Sequence, residues 1–407
     1  MYVRDVSAKG YRWVVLGAGT LAQASFSTST VGLPALGPAL KSQYGLTLGE
    51  TGVVLAATGI GMLFTLLPWG LVADRVDERW VIATGLTGAA GALVVASQTH
   101  SYAGVTIALV GVGALGASVN AASGRAIMAW FPASELGLAL GIRQTAIPIG
   151  GALGAALLPV LASAGGTHLA FLFLAGSCAT GAIVAASFVR GGSDGRPEIE
   201  DVSRPLRDPH MWLLGLGTGF YLTAQIGITG FVVLFLHEER QLSTHAAARV
   251  LVAINVLAIG ARVTSGRISD RLGSRLKPLR TIGVALAAFT AATAVATQAP
   301  LALLISLFVI AGVLSMSWNG LAYAAAAEAA GPGKTGAALG FQQTLLGVVV
   351  AGAPPVVAAI ATHSWRAAFL FAAIGPVVGV VVLSRLSERA RTRGTSVSRP
   401  AALRTPD

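Results

Sequence analysis

Cysteine is all but missing. Cys178 is the single one in 407 residues, which excludes an internal disulfide and any metal site built on a cysteine cluster. Charge is scarce too. Asp, Glu, Lys and Arg make up 11% of the chain, against about 25% in a soluble domain. Acidic side chains are the scarcer sign, 17 against 28 basic, and none falls in the middle of an apolar run. The six His sit in loops or at run ends. Little remains for acid–base or metal chemistry, so the chain is expected to need no cofactor and not to be an enzyme. The stretch before Trp13 lacks the short apolar core and cleavage site of a removable signal peptide.

What is present is apolar sequence, 54% of the chain, together with 51 glycines. Apolar runs of about 20 residues recur along the whole length, enough to cross a bilayer core of roughly 30 Å each. Small residues let such helices approach closely. The expected fold class is all-α, a polytopic membrane protein. Its expected twelve spans are 13–38, 51–72, 80–98, 102–130, 136–162, 167–190, 211–236, 245–268, 278–297, 300–327, 335–361 and 365–385. Putting both termini on one side leaves 21 of the 28 Lys and Arg there and four opposite: Lys41, Arg240, Arg249 and Arg366. By the positive-inside rule both ends are cytoplasmic, and the expected location is the plasma (inner) membrane. The same asymmetry accounts for the net +11 without a nucleic-acid partner. The expected organisation is a six-helix bundle over 1–190, a cytoplasmic linker over 191–210, a second bundle over 211–385 and a basic tail over 386–407.

The two bundles repeat one another. A shift of 196 carries Gly70, Asp74 and Arg75 onto Gly266, Asp270 and Arg271; a shift of 199 carries Trp13 onto Trp212, Asn120 onto Asn319 and Gln144 onto Gln343. "GLVADRVDERW" at 70–80 and "GRISDRLGSRLK" at 266–277 are thus one charged loop written twice. Here the sequence resembles the major facilitator superfamily, whose signature between the second and third helices is close to Gly-x-x-x-Asp-Arg-x-Gly-Arg-Arg. Gly70, Asp74, Arg75 and Arg79 match it, but Asp77 stands where Gly is usual and Glu78 where a base is usual. The second copy keeps Gly273 and Arg275, and "GIRQTAIPIGGALG" at 141–154 approaches the family's fifth-helix pattern. The resemblance implies a gate. Asp74 would face the start of a helix near Gly336 and Asp270 one near Gly137, where a helix N-terminus favours an anion. Gly70, Asp74, Arg75, Arg79, Gly266, Asp270 and Arg271 are the gating candidates; as loop charges they could equally serve topology alone.

The resemblance also implies a cavity lined by spans 1, 4, 7 and 10. Thr20, Gln23, Ser27 and Thr30 share one face of span 1, and Thr218, Tyr221, Gln225 and Thr229 share one of span 7. Asn120 and Asn319 add matched amides. Such stripes also arise from interhelical hydrogen bonds. Three arginines lie inside spans: Arg125, Arg143 and Arg262. An arginine at mid-bilayer costs about 2.5–3.5 kcal/mol on insertion scales, so each needs a partner or a function. None is repeated: their counterparts are Ala324, Gln342 and Leu66. Arg262 shares a face with Asn255, seven residues earlier, and its context resembles the eighth helix of oxalate/formate and monocarboxylate carriers, where an arginine holds the anion. A planar guanidinium suits a carboxylate. Arg125 is expected to pair with Asp74, Asp77, Glu78 or Glu135.

The expected function is therefore secondary active transport by alternating access, of a small organic anion such as a carboxylate. The candidate substrate residues are Arg262, Asn255, Asn120, Asn319, Gln23, Tyr221, Gln225 and Arg143. Glu328 is the one candidate for proton coupling. The expected partners are that anionic substrate and the lipid bilayer. Export of amphipathic drugs is the rival within transport; a membrane-embedded sensor or enzyme on this fold is the rival of another class. "GVGALG" at 111–116 mimics a dinucleotide fingerprint but lies within an apolar span with no strand before it.

Overall fold

The structure is a computed structural model describing residues 2–73, 75–132, 135–191, 207–330 and 335–387. Every regular element among them is helical. In chain order they are α1 (Tyr2–Thr30), a 3₁₀ turn (Leu33–Leu36), α2 (Gly37–Tyr44), α3 (Leu48–Ala73), α4 (Glu78–Gln98), α5 (Tyr102–Met128), α6 (Leu136–Gln144) and α7 (Ala146–Phe188). After residue 207 follow α8 (Pro209–Thr229), α9 (Val232–Glu238), α10 (Thr244–Leu272), α11 (Leu276–Val295), α12 (Leu301–Ser317), α13 (Asn319–Ala330), α14 (Thr335–Ala361) and α15 (Trp365–Ser384).

Helix ends are written in the sequence. Thr47 and Glu50 form a reciprocal capping box at the start of α3, satisfying two N–H groups that a helix start leaves open. Asp77, Ser101, Asp208, Ser243 and Ser364 each accept from the backbone at the start of α4, α5, α8, α10 and α15. Gly273 closes α10 in the left-handed conformation, φ +60°, which costs a glycine no steric strain. In the first copy of the charged loop the matching residue, Asp77, caps the following helix instead. That is why an acid replaces the usual glycine there.

Ten helical stretches among the described residues are long and apolar enough to cross a membrane. Their outward sides carry exposed apolar residues such as Phe64, Ile107 and Ile183, as lipid contact demands. One of the ten, Leu138–Phe188, has 51 residues, about 76 Å of helix at 1.5 Å per residue. Its backbone leaves helical values at Gly165 and Gly166, between the expected fifth and sixth spans. The expected first span falls on α1, which is not among the ten and stops at Thr30. The expected tenth is interrupted at Trp318, between α12 and α13.

The cores follow the chain. One cluster of buried apolar residues draws only on positions before 191, among them Phe26, Leu86 and Phe171. Another draws only on positions after 210, among them Tyr221, Trp318 and Leu346. A third, centred on Phe231, Phe235, Phe308 and Phe369, takes in Ala35 and Ala155 from the first part. Trp13 and its counterpart Trp212 each meet a phenylalanine edge-on, Phe131 at 5.3 Å and Phe341 at 4.9 Å, although these two phenylalanines are not counterparts.

Candidate functional site

Two of the three intramembrane arginines are buried, Arg143 at 7% exposure and Arg262 at 9%. They come from opposite parts of the chain. Arg143 occupies the last turn of α6. Its Nε donates to Ser123 Oγ at 2.9 Å and its Nη2 to Gln23 Oε1 at 3.1 Å, with the Asn120 carbonyl at 3.5 Å. Arg262 lies on α10. Its Nε donates to the Met316 carbonyl at 2.8 Å, its Nη1 to the Gln144 carbonyl at 2.6 Å and its Nη2 to Asn319 Oδ1 at 3.1 Å. Tyr323, half-buried on α13, stands close enough to interact electrostatically with both guanidinium groups.

Neither arginine has a carboxylate in ion-pair range among the described residues. Neutral oxygens solvate them instead. A hydrogen bond to a charged group contributes about 1.5–3 kcal/mol, so three such bonds offset the insertion cost of Arg262. A guanidinium has five N–H donors. Three of Arg262's are used, and Arg143 Nη1 makes no hydrogen bond to a described residue. The pair can therefore accept an incoming anion with no salt bridge to break first.

Of the sequence candidates, Gln23, Asn120, Arg143, Asn319 and Arg262 are thus brought to one place. Three are not. Tyr221 is fully buried in the core of the second part, where its hydroxyl donates to the Leu279 carbonyl at 3.2 Å and its ring meets Trp318. Asn255 is also fully buried and bonds the Leu251 carbonyl at 2.9 Å; its Oδ1 packs against Gly151. Gln225 is half-buried, and its Oε1 has no hydrogen-bond partner among the described residues. Ser123 and Tyr323 join the site without having been singled out in the sequence. So do two backbone carbonyls, Gln144 and Met316. Ser123 lies one turn after Asn120 on the same face, a spacing that could have flagged it.

The loop candidates gather at the expected inner end. Asp74 lies outside the described residues. Asp270 is exposed and accepts from Arg275 at 2.7 Å within its own part of the chain. Arg275 also reaches Glu328 at 3.0 Å. Part burial works against its charge, but the Glu328 and Asp270 carboxylates more than offset this, so its pKa is raised. The first loop makes a similar tie with reversed polarity, Arg125 lying 3.8 Å from Glu78. Arg79 sits over the Trp80 ring at 4.4 Å. Arg75 and Arg271 are exposed, and a Cβ on Gly70 or Gly266 would meet nothing within 4 Å.

A helical membrane chain with the charged loop twice and a buried polar centre invites comparison with known transporters. The pattern that defines the Major Facilitator Superfamily matches residues 18–354. The chain belongs to this superfamily. An uncharacterized MFS-type transporter of Mycobacterium tuberculosis (strain CDC 1551 / Oshkosh) is 32% identical over 386 residues, covering 93% of this chain and 86% of the relative. A probable sulfoacetate transporter, SauU, of Cupriavidus necator is 27% identical over 172 residues, 40% of this chain and 38% of that protein. Among solved structures, a bacterial homologue of the human lysosomal transporter Spinster, inward-facing and occupied, aligns with a TM-score of 0.73 at 16% identity. It covers 92% of this chain and 95% of that one. The protein is an integral membrane protein of the MFS transporter type.

Proposed function

We propose that this MFS protein carries a small organic anion across the inner membrane by alternating access, with Arg143 and Arg262 as the groups that hold it. The observation that carries the reading is two buried guanidinium groups, one from each part of the chain, with neutral partners and spare donors. A cationic drug would meet two fixed positive charges at this place, which disfavours that rival. The partial relative named for sulfoacetate adds weight, since a carboxylate and a sulfonate on one small molecule would match two guanidinium groups. Asn319, Gln23 and Asn120 orient the arginines, and Tyr323 adds a hydroxyl beside them. The supporting architecture is twelve spans in two six-helix bundles, with the break at Gly165 and Gly166 dividing spans five and six. Both termini and the linker then face the cytoplasm, as the basic residues favour.

The test is an uptake and binding screen in proteoliposomes with a monocarboxylate, a dicarboxylate, sulfoacetate and an amphipathic cation. Arg143→Gln and Arg262→Gln should each weaken binding of the preferred anion by about tenfold or more. Arg262→Lys, which keeps charge but loses the planar fork, should fall between. Transport of the cation alone, or wild-type anion affinity in both glutamine variants, would overturn the reading.

A further inference from the structure

Pro148 follows Gln144 by four residues. In an α-helix the carbonyl of residue i accepts the N–H of residue i+4, and proline has none. The Gln144 carbonyl is thus deprived of its helical donor by the sequence itself. α6 ends at Gln144 and α7 starts at Ala146. The open carbonyl accepts from Arg262 Nη1 instead, across 118 residues of chain.

The other carbonyl that Arg262 holds, Met316, sits in the last turn of α12, where helix carbonyls also lack intrahelical donors. One cation therefore gathers the loose ends of two interrupted helices, one from each part of the chain. Carbonyls at helix C-terminal ends carry partial negative charge, which explains how Arg262 is held with no carboxylate.

The position of this bond along the seam between α6–α7 and α10 gives it a role. On its outer side the seam is shut: a Cβ on Gly151 would collide with the Asn255 amide. On its inner side a Cβ on Gly141 or Gly266 would meet nothing within 4 Å. Arg262 and Gln144 stand between, four residues from Gly266 and three from Gly141 along their helices.

We propose that Pro148 is a positioning residue: by leaving the Gln144 carbonyl open it docks Arg262, and the bond so formed is the clasp at the inner edge of the seam. Its coupling to substrate rests on the reading of Arg262 as an anion ligand. An anion that takes both N–H groups of Nη1 displaces the carbonyl, and binding in that mode unfastens the clasp.

The test uses spin labels at Leu138→Cys and Ile268→Cys, both exposed positions, in a Cys178→Ala background. Distances are read by pulsed EPR in proteoliposomes without ligand. Pro148→Ala restores the N–H, lets Gln144 close its own helix and should raise the long-distance population about tenfold, the scale of one charged hydrogen bond. Arg262→Gln should produce the same shift, and adding Pro148→Ala to it should change nothing more. Sulfoacetate, if wild type binds it, should bind several-fold tighter to Pro148→Ala, where Nη1 is already released. No shift in either single variant, or a full additive shift in the double variant, would overturn the clasp. If Pro148→Ala fails to reach the membrane, Arg262→Gln decides alone: unchanged distances refute the proposal. If no anion binds wild type, the functional reading fails while the ligand-free distances still judge the clasp.

Discussion

The Lys41 ammonium lies 2.7 Å from a Glu238 carboxylate oxygen, joining positions 197 residues apart. Lys41 lies in the last turn of α2 and Glu238 ends α9, so the pair ties the two parts of the chain at the expected outer end. Both side chains keep more than a quarter of their surface exposed, 29% and 26%, which limits the strength of the tie. An exposed pair contributes about 0.2–1 kcal/mol. Glu238→Gln should therefore raise labelling of a Val31→Cys probe from outside by about two- to fivefold. A double-mutant cycle with Lys41→Met should show that the two changes do not add. Full additivity would mean that the ion pair does not hold the two parts together.

The seam between α3 and α5 depends on two glycines. A side chain on Gly113 would overlap the backbone of Thr58, and one on Gly61 would come within 2.6 Å of the Ala114 nitrogen. Close approach lets Thr65 and Trp69 both donate to the Ala114 carbonyl, at 2.8 and 2.7 Å. Gly113→Leu should cost at least about 1–3 kcal/mol through overpacking and lower the melting midpoint in detergent. Gly70→Ala, with nothing within 4 Å of the new methyl, should melt as wild type does.

How far the sequence reveals such features depends on the signal each leaves. Apolar runs, capping residues and the repeated loop are written in residue type and spacing, so the helical membrane fold was legible. Arg143 and Arg262 were legible because charge inside an apolar run is costly. Periodic polarity was a weaker guide. Gln23 shares its stripe with Thr20, whose buried hydroxyl has no partner among the described residues, and Tyr221 fits its stripe equally well yet packs in the core. A helical face shows that residues point the same way, not whether they meet a cavity or a neighbouring helix. Tyr323 was invisible because one aromatic in an alanine-rich run has no periodicity. The carbonyl that binds Arg262 belongs to the backbone and carries no letter; only Pro148, four residues on, encodes it.

Glu328 was the single candidate for proton coupling in the sequence. It ion-pairs with Arg275 at 3.0 Å, and 41% of its side-chain surface is exposed. Glu328→Gln should keep the pH-gradient dependence of uptake within about twofold of wild type, since the pair is of the exposed kind. Loss of that dependence, with uptake by exchange intact, would instead make Glu328 the proton site.

Topology can be tested with the one native thiol removed. Cys178 is fully buried, with its Sγ 3.6 Å from Ser29 Oγ. Cys178→Ala therefore deletes one small buried atom and should cost on the order of 1 kcal/mol, leaving a folded background. Ser193→Cys in the linker and Ser396→Cys in the basic tail then report the side that each segment faces. Three basic residues lie in the linker, Arg196, Arg204 and Arg207, and six from Arg385 onward, a bias that favours the cytoplasmic side for both. A membrane-impermeant maleimide should label neither in intact cells and both in inside-out vesicles. Lys41→Cys, on the sparsely basic side, should give the opposite pattern. An even number of spans requires the two ends of the chain to agree with each other, and two six-span bundles require the linker to agree with both. Labelling of the tail but not the linker from outside would mean an odd number of crossings in the second part. Labelling of both from outside would invert the whole orientation while leaving the span count intact.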